Sequence, residues 1–234
     1  RSWPQSCIDN NSMSPCVGRE WKIGRVCRRI GYKKQTSVGR GGKLMTAPDK
    51  TWPDGRVRCH WANPKNEKYI HYHDTEWGVP TYDDAKLFEM LVLETFQAGL
   101  SWECILNRRD AFRRAFDNFD IARVCNYDTA KLTQLQNDTG IIRNARKIAA
   151  VVNNARVFTS IAHEYGTFSK YLWHWTRGRI IHQVGKTRSA LSDKIAADLR
   201  HRGMQFIGTT TVYAYLQSAG VINSHEDKCF LFRK

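Results

Sequence analysis

Residues 85–98 read AKLFEMLVLETFQA, and this stretch decides the fold class. Leu87, Met90, Leu91 and Glu94 fall at i, i+3, i+4 and i+7, the spacing that gathers side chains on one face of an α-helix. Phe88 and Val92 widen the apolar surface, and Ala98 continues it. Thr81 and Asp84 stand just ahead with the spacing of a capping box, Asp taking the place more often held by Glu. Working outward, helical patterning recurs in WECILNRRDAFRRAF (102–116), capped by Ser101 or a neighbour, and in DTAKLTQLQ (128–136). It continues in RNARKIAAVVNNARVF (143–158) and TFSKYLWHW (167–175). SALSDKIAADLRHR (189–202) stops at Gly203 and TTTVYAYLQSA (209–219) stops at Gly220, as helix C-termini do. No run alternates with the period of two expected of strands. The expected fold is all-α, with helices joined by short loops.

Helical phasing places Glu94 on the apolar stripe rather than the solvent face. Burying an ionised carboxylate without partners costs several kcal/mol, so such a group is normally paired, protonated or functional. The alternative is a glutamate at the edge of the stripe reaching water, a route that Phe88 and Val92 make harder. Aromatic residues crowd the neighbourhood in sequence: Trp61, Tyr69, Tyr72 and Trp77 upstream, and Trp102 just past Gly99, Leu100 and Ser101. Singly, each reads as core packing. Together with a buried acid they form a pocket for a flat, electron-poor or cationic ring, a description that fits a modified nucleobase.

The 234 residues carry 37 Lys and Arg against 22 Asp and Glu, a formal charge of +15 that favours a polyanionic partner. Residues 1–58 hold thirteen of the basic and four of the acidic residues, with much Ser, Gly and Pro and no sustained apolar period. They are expected to be a disordered basic extension, as a solvated tail, a DNA-tethering arm or part of a targeting sequence, ahead of one domain over 59–234. The seven cysteines are odd in number and scattered, which points to a reducing compartment rather than a disulfide framework. No stretch approaches the ~18–20 continuous apolar residues of a membrane span.

Cys59 and His73 bound the segment CHWANPKNEKYIHYH, and His225 and Cys229 form H-x-x-x-C on one side of a helical turn. Two Cys and two His would complete a closed tetrahedral zinc site, structural rather than catalytic. By chemistry His60 and His71 compete with His73, and spacing does not decide among them. The sequence NDTGIIRNARK (137–147) places Gly140 in a turn that opens a helix, with Arg143, Arg146 and Lys147 behind it. Free amides at a helix N-terminus suit phosphate, as in a helix-hairpin-helix; an ordinary connection with solvated cations is the other reading.

Five segments in order, YHDTEWGVP (72–80), KLFEMLVLETFQAGLSW (86–102), GIIRNARKI (140–148), RGMQFIGTT (202–210) and AGVIN-x-H-x-x-x-C (219–229), resemble the DNA-3-methyladenine glycosylase I family. The resemblance implies an all-helical member of the helix-hairpin-helix glycosylase superfamily with one structural zinc on Cys59, His73, His225 and Cys229. It implies that Glu94 is the base-recognising acid, that Tyr72 and Trp102 are pocket aromatics with Trp61 lining the same site, and that Leu100 is the wedge filling the gap left by the flipped nucleotide. Thr95 and Phe96 depart from the smaller or more polar residues of bacterial relatives. The implied partner is double-stranded DNA containing alkylated adenine, met by a monomer. The implied reaction is hydrolysis of the glycosidic bond of 3-methyladenine, with no lysine placed for a Schiff base and hence no strand cleavage.

Overall fold

The computed structural model describes residues 51–52 and 54–232. Helix α2 (Asp84–Gln97) lies at the centre, and every residue from Leu87 to Phe96 is buried. Around it pack α7 (Ala145–Tyr165), α8 (Phe168–His174) and α10 (Thr209–Ser218), which together close one hydrophobic core. Each large apolar side chain fully withdrawn from water there contributes about 1.5–3 kcal/mol. A helix buried all round needs apolar residues on every face, so the stripe read from the sequence is one side of a wider apolar surface.

The helix expected over 102–116 is broken at Asn107 and Arg108 into α3 (Trp102–Leu106), capped by Ser101, and α4 (Arg109–Ala115). Short α5 (Ile121–Cys125) and α6 (Thr129–Asn137) lead to α7, and α9 (Ala190–His201) opens on a Ser189–Ser192 capping box. Two α-helices had no sequence expectation. One is α5, which is too short for a period to register. The other is α1 (Glu67–Thr75), whose apolar residues are aromatic rings and a histidine rather than aliphatic side chains. The all-α class holds apart from a two-residue parallel pair, β1 (Ile181–His182) with β2 (Ile222–Asn223).

The capping box expected from Thr81 and Asp84 does not form. Asp83 caps α2 by accepting from the Lys86 amide at 3.0 Å. Asp84 instead reaches across to accept from the amides of Phe168 and Ser169 at 2.9 and 2.8 Å, capping α8. Thr81 is buried, and its carbonyl accepts from the Trp173 indole. The chain ahead of α2 is stitched to the end of α10: the Gly78 amide donates to the Gln217 carbonyl at 2.9 Å and Thr81 to Ala219 at 3.1 Å. Gly220 permits that approach. Its φ is +72°, and a Cβ there would sit 2.3 Å from the Pro80 nitrogen.

Of the extension expected over 1–58, residues 1–50 lie outside the described residues. Val57 and Arg58 are tied to the domain. Arg58 is buried, and the Val57 carbonyl accepts from the Phe230 amide at 2.9 Å. No helix among the described residues is long and apolar enough to cross a membrane.

Candidate active site and metal centre

Glu94, on the last turns of α2, is 4% exposed. Its Oε2 has no hydrogen-bond partner. Burial pushes its pKa up to about 8, opposed by a hydrogen bond from the Ser218 hydroxyl on α10. Tyr72 on α1 borders the same space: burial raises its phenol well above the ordinary range, and the charge of Glu94 adds to that. The Trp102 ring packs on Tyr72 at 5.1 Å between centroids, and its indole N–H is likewise buried without a partner. An unmatched acceptor, an unmatched donor and two aromatic faces therefore converge where α1, α2 and α3 meet. Buried polar groups are almost always satisfied, so such a pair points to a ligand edge that supplies the missing bonds. Trp61 stands behind this wall, 5.3 Å from Tyr69 and 4.7 Å from Trp77.

Glu89, also buried on α2, shows the opposite arrangement. Its Oε1 accepts from Arg109 at 2.7 Å and from Arg113 at 2.8 Å, while Arg109 forks onto Glu76 at 2.7 and 2.8 Å. These pairs wall an open groove of about 920 Å³ between α1, α2 and α4, whose lining excludes Glu94, Tyr72 and Trp102. Of the two buried glutamates on α2, only Glu94 keeps an oxygen unpaired.

The four expected ligands come together. Cys59, His73, His225 and Cys229 are all buried, with their ligand atoms within 4.8 Å of one another. Three sulfur–nitrogen separations are 3.5 Å: Cys59 to His225 Nδ1, and Cys229 to both His225 Nδ1 and His73 Nε2. A tetrahedral ion with bonds of about 2.3 Å to sulfur and about 2.05 Å to nitrogen separates the two by about 3.5 Å. The histidines use opposite nitrogens. His225 Nε2 lies 3.2 Å from the Trp77 carbonyl, which only an N–H can satisfy, leaving Nδ1 as the free lone pair. His73 Nδ1 donates to the Asp74 carboxylate at 2.8 Å, leaving Nε2, which faces the cluster, with the lone pair. The Cys59 thiol, and after it His225 and His73, hold the Cys229 thiol well below the ordinary range against the opposing effect of burial, which favours a thiolate. His60 and His71 are exposed and stand outside the cluster. The cluster backs onto the aromatic wall, since Trp77 packs on the His225 ring at 4.8 Å and Trp61 on the His73 ring at 5.3 Å.

The residues expected at DNA divide. Leu100 is half-buried and packs against the hydrophobic core between exposed Gly99 and Ser101, and Arg143 and Arg146 are exposed at the start of α7. Lys147 is not available to a phosphate. It is 7% exposed, and its ammonium donates to the carbonyls of Phe96 at 3.0 Å and Ala98 at 2.8 Å, capping the C-terminus of α2. Gly140 sits in the turn between α6 and α7, but its amide already donates to Asp138 at 2.7 Å. A Cβ there would lie 3.1 Å from the Ala111 side chain, so close packing rather than phosphate accounts for this glycine. Sequence reasoning missed Ser218 beside Glu94 and the clamp of Lys147, because each depends on a contact between helices distant in the chain.

Residues 61–233 match the family described as methyladenine glycosylase. The chain is 37% identical to DNA-3-methyladenine glycosylase 1 of Escherichia coli, covering 74% of this chain and 95% of the relative. It is 35% identical to DNA-3-methyladenine glycosylase of Haemophilus influenzae over 74% and 96%. Among solved structures, a 3-methyladenine DNA glycosylase I superposes with a TM-score of 0.72 at 37% identity, covering 75% of this chain and all of the other. A tyrosine-to-phenylalanine form of 3-methyladenine DNA glycosylase I in complex with 3-methyladenine gives 0.70 at 32% over 73% and 95%. On a match spanning most of its length and nearly the whole of these relatives, the chain belongs to the methyladenine glycosylase family.

Proposed function

We propose that this chain excises 3-methyladenine from alkylated double-stranded DNA, hydrolysing the N-glycosidic bond and leaving an abasic site. The observation that carries the reading is the buried, unpartnered Oε2 of Glu94 beside Tyr72 and Trp102. A base flipped out of the helix brings donors and acceptors on its edge to the orphaned oxygen and indole N–H, while Tyr72 and Trp102 border its faces. With a pKa of about 8, Glu94 is mostly protonated at pH 7 in the free protein. A cationic N3-methylated adenine beside it favours the ionised form, so the pocket gains most from the lesion that carries a charge. That charge already weakens the glycosidic bond. Binding the departing base and an oxocarbenium-like sugar then suffices, with water as nucleophile.

Lys147 is the one buried lysine among the described residues, and its ammonium is committed to two carbonyls, which supports a monofunctional enzyme without a Schiff base. In this reading α6, the turn and α7 are the helix-hairpin-helix, with Arg143 and Arg146 on phosphates and Leu100 as the wedge. One zinc on Cys59, His73, His225 and Cys229 ties the start and end of the domain together and supports the wall that carries Tyr72. The proposed working unit is a monomer. The test is chromatography of bases released from methylated duplex DNA: free 3-methyladenine is expected, and none from folded protein would sink the proposal.

A further inference from the structure

The residues next to the four metal ligands are themselves cross-linked. Arg58 precedes Cys59, Asp74 follows His73 and Phe230 follows Cys229. The Arg58 side chain is 2% exposed. Its Nε and one terminal nitrogen donate to the two oxygens of Asp74 at 2.8 and 2.6 Å. The terminal nitrogens also donate to the two oxygens of Asp54, at 2.8 and 2.6 Å. The faces of the guanidinium lie against Trp52 and Phe230, 5.0 and 5.4 Å from the ring centres. Asp74 Oδ1, which accepts from Arg58, also accepts from His73 Nδ1 at 2.8 Å.

We infer that Arg58 is a positioning residue for the metal centre, acting through Asp74 to fix the tautomer and angle of His73. The inference rests on the zinc reading above. An imidazole whose Nδ1–H is held by a carboxylate keeps its Nε2 lone pair in one direction, and loss of such an outer partner typically weakens metal binding 10–100-fold. A lone carboxylate would swing about its own torsions. Asp74 is clamped in a two-point fork by a planar guanidinium that is itself clamped by Asp54 and two rings. Lysine at position 58 would keep the charge and lose the fork.

The test is zinc affinity by competition with a chromogenic chelator on the full chain, with circular dichroism reporting the fold. Wild type is expected to hold one zinc, and Arg58→Lys and Asp74→Asn to bind it about 10–100-fold more weakly while folded. Arg58→Gln made on the Asp74→Asn background is expected to cost little more than Asp74→Asn alone. Arg56→Gln, on an exposed side chain, serves as the control and should leave affinity unchanged. If Arg58→Gln lowers affinity as much without Asp74 as with it, Arg58 acts through packing on Trp52 and Phe230 and the inference is overturned. Unchanged affinity in both single variants also overturns it, with the zinc reading intact. A wild-type protein without zinc overturns the zinc reading and this inference together. Should Asp74→Asn not fold, zinc retained by folded Arg58→Lys at wild-type affinity remains the refuting result.

Discussion

Replacing Glu94 by glutamine should make the protein more stable at alkaline pH while removing its activity. In the folded chain the carboxyl has a pKa of about 8, raised by burial from 4.5. A group whose folded pKa is raised contributes stability that is complete below its unfolded pKa and is lost as pH rises through the folded value. Here the loss begins near pH 4.5 and is nearly complete above pH 8. Between pH 5 and pH 9 the linkage amounts to about 3–5 kcal/mol, since each unit of difference is worth about 1.4 kcal/mol. Glutamine does not titrate, so any cost of its amide is a constant offset. Every other titrating group is common to both proteins and cancels in the difference. The assay is urea unfolding of wild type and Glu94→Gln at intervals of pH, reading the difference between them. The gap should move in favour of the variant by several kcal/mol as pH rises, which for a domain of this size corresponds to about 6–20 °C in Tm. A difference that stays flat from pH 5 to pH 9 would refute the claim that Glu94 is buried with its Oε2 unpartnered.

Lys147→Met should lower stability by about 2–4 kcal/mol, because two carbonyls at the end of α2 lose a charged donor. The slope of log DNA affinity against log salt should be unchanged in that variant, whereas Arg146→Gln should flatten the slope by about 0.9 and leave stability nearly intact; the reverse pattern would restore Lys147 as a phosphate contact. His225→Ala should lose one zinc per chain by metal analysis, with a lower Tm. Gly220→Ala should prevent folding or cost more than about 3 kcal/mol, since its Cβ would overlap the backbone at Val79 and Pro80; a near-wild-type melting curve would contradict the close approach of α10 to the chain ahead of α2.

The helical class was legible because AKLFEMLVLETFQA and its successors carry a clear period, and most helix starts carry a recognisable cap. The position of Glu94 was legible for the same reason. Its distinction from Glu89 was not, because that depends on Arg109 and Arg113 reaching one carboxylate and not the other. The choice of His73 over His60 and His71 came from resemblance; the physical reason, an imidazole buried between Cys59 and Asp74, requires the tertiary fold. Charge alone misassigned Lys147. A lysine at the start of a basic helix reads as a phosphate contact until α2 is seen to end against it. The capping box expected from Thr81 and Asp84 was misplaced: Asp83, which the sequence reading passed over, caps α2, and Asp84 serves a helix more than eighty residues away.

The central claim is that the unpartnered Oε2 of Glu94 recognises the excised base. Single-turnover release of 3-methyladenine from one methylated duplex, compared between wild type and Glu94→Gln at saturating protein, tests it most directly. The account predicts rapid release by wild type and a rate lower by about 100-fold or more in the folded, zinc-loaded variant. Equal rates in the two proteins would contradict it.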